Sequence, residues 1–63
     1  MRWYEHELRD RHGRIRAVVR PLGAVWEVVV PNREIIRAAT EQAGRVLAEG
    51  MVRPPVVVRE GDG

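Results

Sequence analysis

The chain has 63 residues, of which 44% are hydrophobic and 32% charged, with a formal net charge of +2 and no cysteine. Those proportions are expected of a soluble globular domain. They exclude disulfides and thiolate metal sites, and so small a net charge does not by itself point to nucleic acid. No apolar run approaches the roughly 18 residues of a membrane span. The opening Arg2-Trp3-Tyr4-Glu5-His6-Glu7 has no secretory apolar core, so the expectation is a cytoplasmic protein.

The length predicts one small domain over residues 1–60, with a frayed tail at 61–63. A chain this short hides only about 60% of the surface its unfolded form exposes. Small scaffolds commonly gain stability from a metal, disulfides or a partner chain. With no cysteine and two histidines, a partner or a second copy is the natural supplement. All eleven basic residues are arginine, and Val, Ala, Gly and Pro are frequent, which reads as the coding bias of a GC-rich genome. The basic excess lies early: residues 1–23 hold six arginines against three acids, and residues 24–63 hold five against six.

In chain order, residues 2–9 alternate Tyr4, His6 and Leu8 with Trp3, Glu5 and Glu7, predicting a weak strand. Asp10-Arg11-His12-Gly13 is a turn, in which Asp can bond backbone ahead of it and Gly tolerates positive φ. Residues 14–20 form a second strand, with Ile15, Ala17 and Val19 on one face and Arg14, Arg16, Val18 and Arg20 on the other. Pro21-Leu22-Gly23 makes another turn, and the β-branched run from Ala24 to Val30 is the third strand of an antiparallel meander. Because a one-residue slip turns every side chain over, the apolar pattern sets the register. Tyr4, His6, Leu8, Ile15, Ala17, Val19, Trp26, Val28 and Val30 then share the covered face. On the opposite face Glu7 approaches Arg16, and Trp3 approaches Arg20.

Asn32 is a good N-cap, and the spacing of Ile35, Ile36, Ala39, Ala43, Val46 and Leu47 predicts an amphipathic helix over 33–49, stopped by Gly50. Glu41 and Arg45 are placed for an i,i+4 ion pair, as are Arg45 and Glu49 in the less favoured order. Gly44 interrupts the helix at about 1 kcal/mol relative to alanine, and tight packing against the sheet is the simplest reason for it. Past Pro54-Pro55, Val56-Val57-Val58 reads as a short edge strand. The predicted class is α+β, a three-stranded antiparallel meander with one helix on one sheet face and a C-terminal edge strand (β-β-β-α-β).

One helix covers one side of a sheet, so the opposite face carries the first candidate site: Trp3, Arg16, Val18, Arg20, Val25 and Val29. An apolar centre rimmed by charge is a common composition of protein interfaces; the plain alternative is a half-solvated antiparallel face. A second candidate is the basic hairpin with Arg9, Arg11, Arg14, Arg16 and Arg20, which suits phosphate. Glu5, Glu7 and Asp10 neutralise about half of it, and three aromatics in the whole chain are few for stacking on bases. A third grouping, His6 and His12 with Glu5, Glu7 and Asp10, offers acid–base or ligand chemistry, but its spacing fits no ligand pattern. No phosphate loop, dinucleotide fingerprint or Ser-His-Asp grouping is present, so neither cofactor nor small-molecule substrate is expected. The expected function is a small non-enzymatic protein-binding module, of the regulator or inhibitor kind found in phage and mobile elements, working on a partner or as a homodimer. Nucleic-acid binding through the hairpin from Arg11 to Arg20 is the alternative.

Overall fold

Val19 and Val28 are the largest fully buried side chains, and they face each other across the central pair of strands. The computed structural model describes residues 1–52. Around that valine pair, five antiparallel strands lie in chain order: β1 (Arg2–Tyr4), β2 (Glu7–Arg9), β3 (Ile15–Leu22), β4 (Val25–Val29) and β5 (Ile36–Ala38). One helix, α1 (Glu41–Val52), packs on one face. The α+β class with a single-sided helix is as the sequence implies. The element order among the described residues is β-β-β-β-β-α, not β-β-β-α-β. The predicted strand at Val56–Val58 and tail at 61–63 lie outside the described residues.

The expected first strand is a hairpin. Tyr4 pairs with Glu7, and Glu5-His6 form a two-residue turn in which Glu5 takes φ 57°. Glu5 is neither Gly, Asn nor Asp, so the turn leaves no chemical mark in the sequence. The Asp10–Gly13 turn has the expected chemistry. The Asp10 carboxylate accepts the amides of His12 (2.8 Å) and Arg14 (3.0 Å), and Gly13 sits at φ 81°.

Between β3 and β4 the turn is Gly23-Ala24, with Gly23 at φ 61°. A positive φ at the first central residue is what a type II′ hairpin asks for, hence glycine there. Pro21 and Leu22, expected in this turn, continue β3 and pair with Trp26 and Val25. A proline is tolerated here for a directional reason. The Val19 amide donates to the His6 carbonyl on the β2 side (2.9 Å). Two residues on, the Pro21 nitrogen points the same way but beyond the end of β2, so no ladder bond is lost.

The burial-based register of β3 on β4 is the observed one, with Ala17, Val19, Val28 and Val30 buried beneath the helix. Ile15 departs from it. Arg9 pairs with Ile15 while Leu8 pairs with Ala17, so Arg16 is an extra residue in a β-bulge. The bulge turns Ile15 to the side of Arg9, where it is 45% exposed.

The helix begins eight residues later than the apolar spacing suggests. Asn32 is in a turn at φ 67°. Ile36 and Ala38 alternate with Arg37 as the edge strand β5, pairing with Val28 and Trp26. Thr40 is the true N-cap, its hydroxyl accepting the Ala43 amide (3.1 Å) while its carbonyl accepts that of Gly44 (3.0 Å). Gly50 does not stop the helix, which runs on to Val52. The buried stripe is Gly44, Ala48 and Val52, whereas Ala43, Val46 and Leu47, expected inside, face outward. A Cβ on Gly44 would stand 2.9 Å from Val19 Cγ1 and 3.4 Å from Val28 Cγ2, so the helix lies as close to the sheet as its backbone permits. No side chain larger than a hydrogen fits there without displacing Val19. No helix among the described residues is long and apolar enough to cross a membrane.

Candidate protein-binding face

Strand alternation assigns the face away from the helix residue by residue. One cross-strand row reads Tyr4, Glu7, Val18, Val29, and the next reads Arg20, Glu27, Arg37. Leu22 and Val25 close the β3–β4 end, and Arg2 pairs with Arg9 at the other. Val18 and Val29 are half-buried at the centre, Val25 is half-buried beside Leu22 at the hairpin end with the Arg20–Glu27 pair between, and Tyr4, Ile15 and Leu22 are exposed around them. Four of the six residues anticipated for this face, Val18, Arg20, Val25 and Val29, are on it.

Trp3 is not. It pairs with Leu8 on the covered side and packs against the core. Its indole N–H donates to Glu49 (2.8 Å), and the Arg45 guanidinium lies 4.7 Å from its ring centroid. The cause is the Glu5-His6 turn: a continuous strand from 2 to 9 would have kept Trp3 and Glu7 on one side, and the hairpin turns Trp3 to the other. Tyr4 takes its place on the outer face, 50% exposed, with Arg9 5.6 Å from its ring centroid. Arg16, the extra residue of the bulge, is directed to Asp10 (3.6 Å) and not to Glu7.

The charges on the face are largely paired. Arg9 Nε donates to Glu7 (2.9 Å), and Arg20 Nε donates to Glu27 (2.8 Å). Glu27 is only 9% exposed yet polar, and the Arg20 fork satisfies it. The same pairing thins out the basic hairpin: Arg9, Arg16 and Arg20 each have a carboxylate, leaving Arg11 and Arg14 without one among the described residues. Sequence alternation missed Tyr4, Leu22, Arg2 and Arg37 as members of this face. The alternation of Ile36, Arg37 and Ala38 was the available signal for Arg37.

The histidine–carboxylate grouping is dispersed. Glu7 pairs with Arg9 and Asp10 holds its own turn, while His12 is exposed. His6 packs on Trp26 (ring centroids 5.8 Å apart), with Nδ1 3.9 Å from the Glu41 carboxylate. That carboxylate already receives Arg45 (2.6 Å), which also donates to the Glu5 carbonyl (2.8 Å). Arg45 thus ties α1 to the first hairpin. The Asp10 carboxyl is held below its ordinary value, chiefly by the Arg14 amide and, against some desolvation, also by the His12 amide.

Compared with protein-family models, with curated proteins and with solved structures, the chain matches none.

Proposed function

We propose that the chain is a small non-enzymatic protein-binding module that acts through its outer sheet face. The carrying observation is a pair of apolar patches with no element over them among the described residues: Val18 and Val29, half-buried beside Tyr4, and Val25 beside the exposed Leu22, joined across the paired Arg20 and Glu27. A core of apolar side chains within a charged rim is the anatomy of an interface, and Tyr and Arg are the residue types that most often dominate binding energy. The dispersal of His6, His12, Glu7 and Asp10 supports a non-enzymatic reading. Regulation or inhibition of a partner is the role that fits a module of this size.

The runner-up, nucleic-acid binding through the Arg11–Arg20 hairpin, rests on Arg11 and Arg14. The two readings separate in one experiment on the full chain purified from its native host. Protein contact predicts that Val25→Asp releases the co-purifying partner, that Arg11→Glu with Arg14→Glu retains it, and that salt between roughly 50 and 200 mM has little effect. The opposite pattern, with nucleic acid co-purifying, refutes the protein-binding reading.

A further inference from the structure

The outer face also constrains its occupant, given that it is the contact surface proposed above. Four arginines, Arg2, Arg9, Arg20 and Arg37, share it with two glutamates, Glu7 and Glu27. Both glutamates are taken, by Arg9 and by Arg20. Arg2 on β1 and Arg37 on β5 have no carboxylate within ion-pair distance among the described residues. Four strand spacings separate them, about 19 Å across the sheet. They therefore bracket the apolar centre from opposite edges, each a planar fork of donors that a carboxylate matches in two parallel bonds.

We infer that this face takes an acidic protein segment: apolar side chains seated on the Val18–Val29 pair and, past Arg20 and Glu27, on Val25 and Leu22, with carboxylates that meet Arg2 and Arg37. A second copy of the chain is a poorer occupant. A two-fold contact sets the same patch against itself, so a face with four arginines and two glutamates would meet another with the same positive excess, and like-charge juxtaposition costs several kcal/mol. A phosphate backbone would satisfy the arginines and leave the valine centre against sugar and phosphate, with Tyr4 the single aromatic offered.

The test is selection from displayed short random peptides on the immobilised full chain, run in parallel on Val25→Asp, Leu22→Asp and the double variant Arg2→Glu/Arg37→Glu. Each variant is first checked for a cooperative thermal melt. Leu22 is exposed and guards against a Val25 variant that fails to fold. The expected result is enrichment of peptides with apolar residues between Asp or Glu, absent on both aspartate variants, and an affinity for the double variant at least about tenfold weaker. Neutral or basic enriched peptides, or equal affinity for the double variant, overturn the acidic-partner inference and leave the docking face standing. Enrichment that survives both aspartate variants brings down the docking face itself. Light scattering and titration with a short DNA duplex complete the outcomes. A wild-type dimer made monomeric by Val25→Asp assigns a second copy, and tight duplex binding assigns nucleic acid; either overturns the inference, as does an absence of any enrichment.

Discussion

Gly44 and Gly50 occupy the same helix and should respond to alanine with opposite signs. Alanine gains up to about 1 kcal/mol over glycine in a helix interior from backbone entropy. At Gly50 nothing lies within 4 Å of the added carbon, so Gly50→Ala keeps that gain. At Gly44 the new methyl would be 2.9 Å from Val19 Cγ1 and 3.4 Å from Val28 Cγ2. Neither neighbour can yield easily, since both valines are fully buried and β-branched side chains are stiff at χ1. Overpacking of this kind costs about 1–3 kcal/mol; set against the propensity gain, Gly44→Ala is destabilising by about 1 kcal/mol. In a domain of this size that lowers the melting midpoint by roughly 4–8 °C, while Gly50→Ala raises it. Denaturant unfolding read by circular dichroism measures both. In a Val19→Ala background the Gly44→Ala penalty should shrink, because the two sites share the contact. Stabilisation by Gly44→Ala, or strict additivity with Val19→Ala, would refute the close approach of helix and sheet.

Three further outcomes test other joints of the fold. Thr40→Ala removes the helix cap and should cost about 1 kcal/mol, with Thr40→Ser recovering most of it; a silent Thr40→Ala in denaturant unfolding would return the helix start to Asn32. Trp3→Ala should destabilise by about 2 kcal/mol or more, since Trp3 packs on the core. Its effect on binding then follows the melting curve, unlike that of Leu22→Asp at an exposed position, which should change the melt much less. The Asp10 carboxyl is depressed below its ordinary 3.8, first by the Arg14 amide. A depressed carboxyl stabilises the fold fully above the ordinary value and loses that contribution as pH falls through the folded value. The stability difference between wild type and Asp10→Asn should therefore be present at neutral pH and vanish on acidification through that window, as read by melts across pH.

What the sequence disclosed depended on how strongly each choice was over-determined. The β3–β4 register was legible because Ala17, Val19, Val28 and Val30 all had to lie on one face, a demand that outweighed any turn preference. The Asp10–Gly13 turn was legible because its residue types have a local reason to be there. The Glu5-His6 turn was not, because tertiary contacts hold it. The Arg45 guanidinium grips the Glu5 carbonyl, and the His6 carbonyl takes the Val19 amide. Missing that turn misplaced Trp3, and with it one of the six expected contact residues.

The helix misled for a more instructive reason. Val46 and Leu47 pointed to one stripe, and Gly44, Ala48 and Val52 form the one that is buried. Apolar periodicity assumes that the most hydrophobic side chains lie inside, which holds when a helix stands off from a sheet by a full side-chain layer. Here the sheet supplies that layer itself, with Val19, Val28, Trp3 and Trp26, so α1 contributes a smooth groove of Gly44, Ala48 and Val52 and leaves Val46 57% exposed. Gly44 was the available clue, since a glycine in mid-helix is unfavourable unless something needs the space. Read that way, one residue fixes which side of α1 meets the sheet.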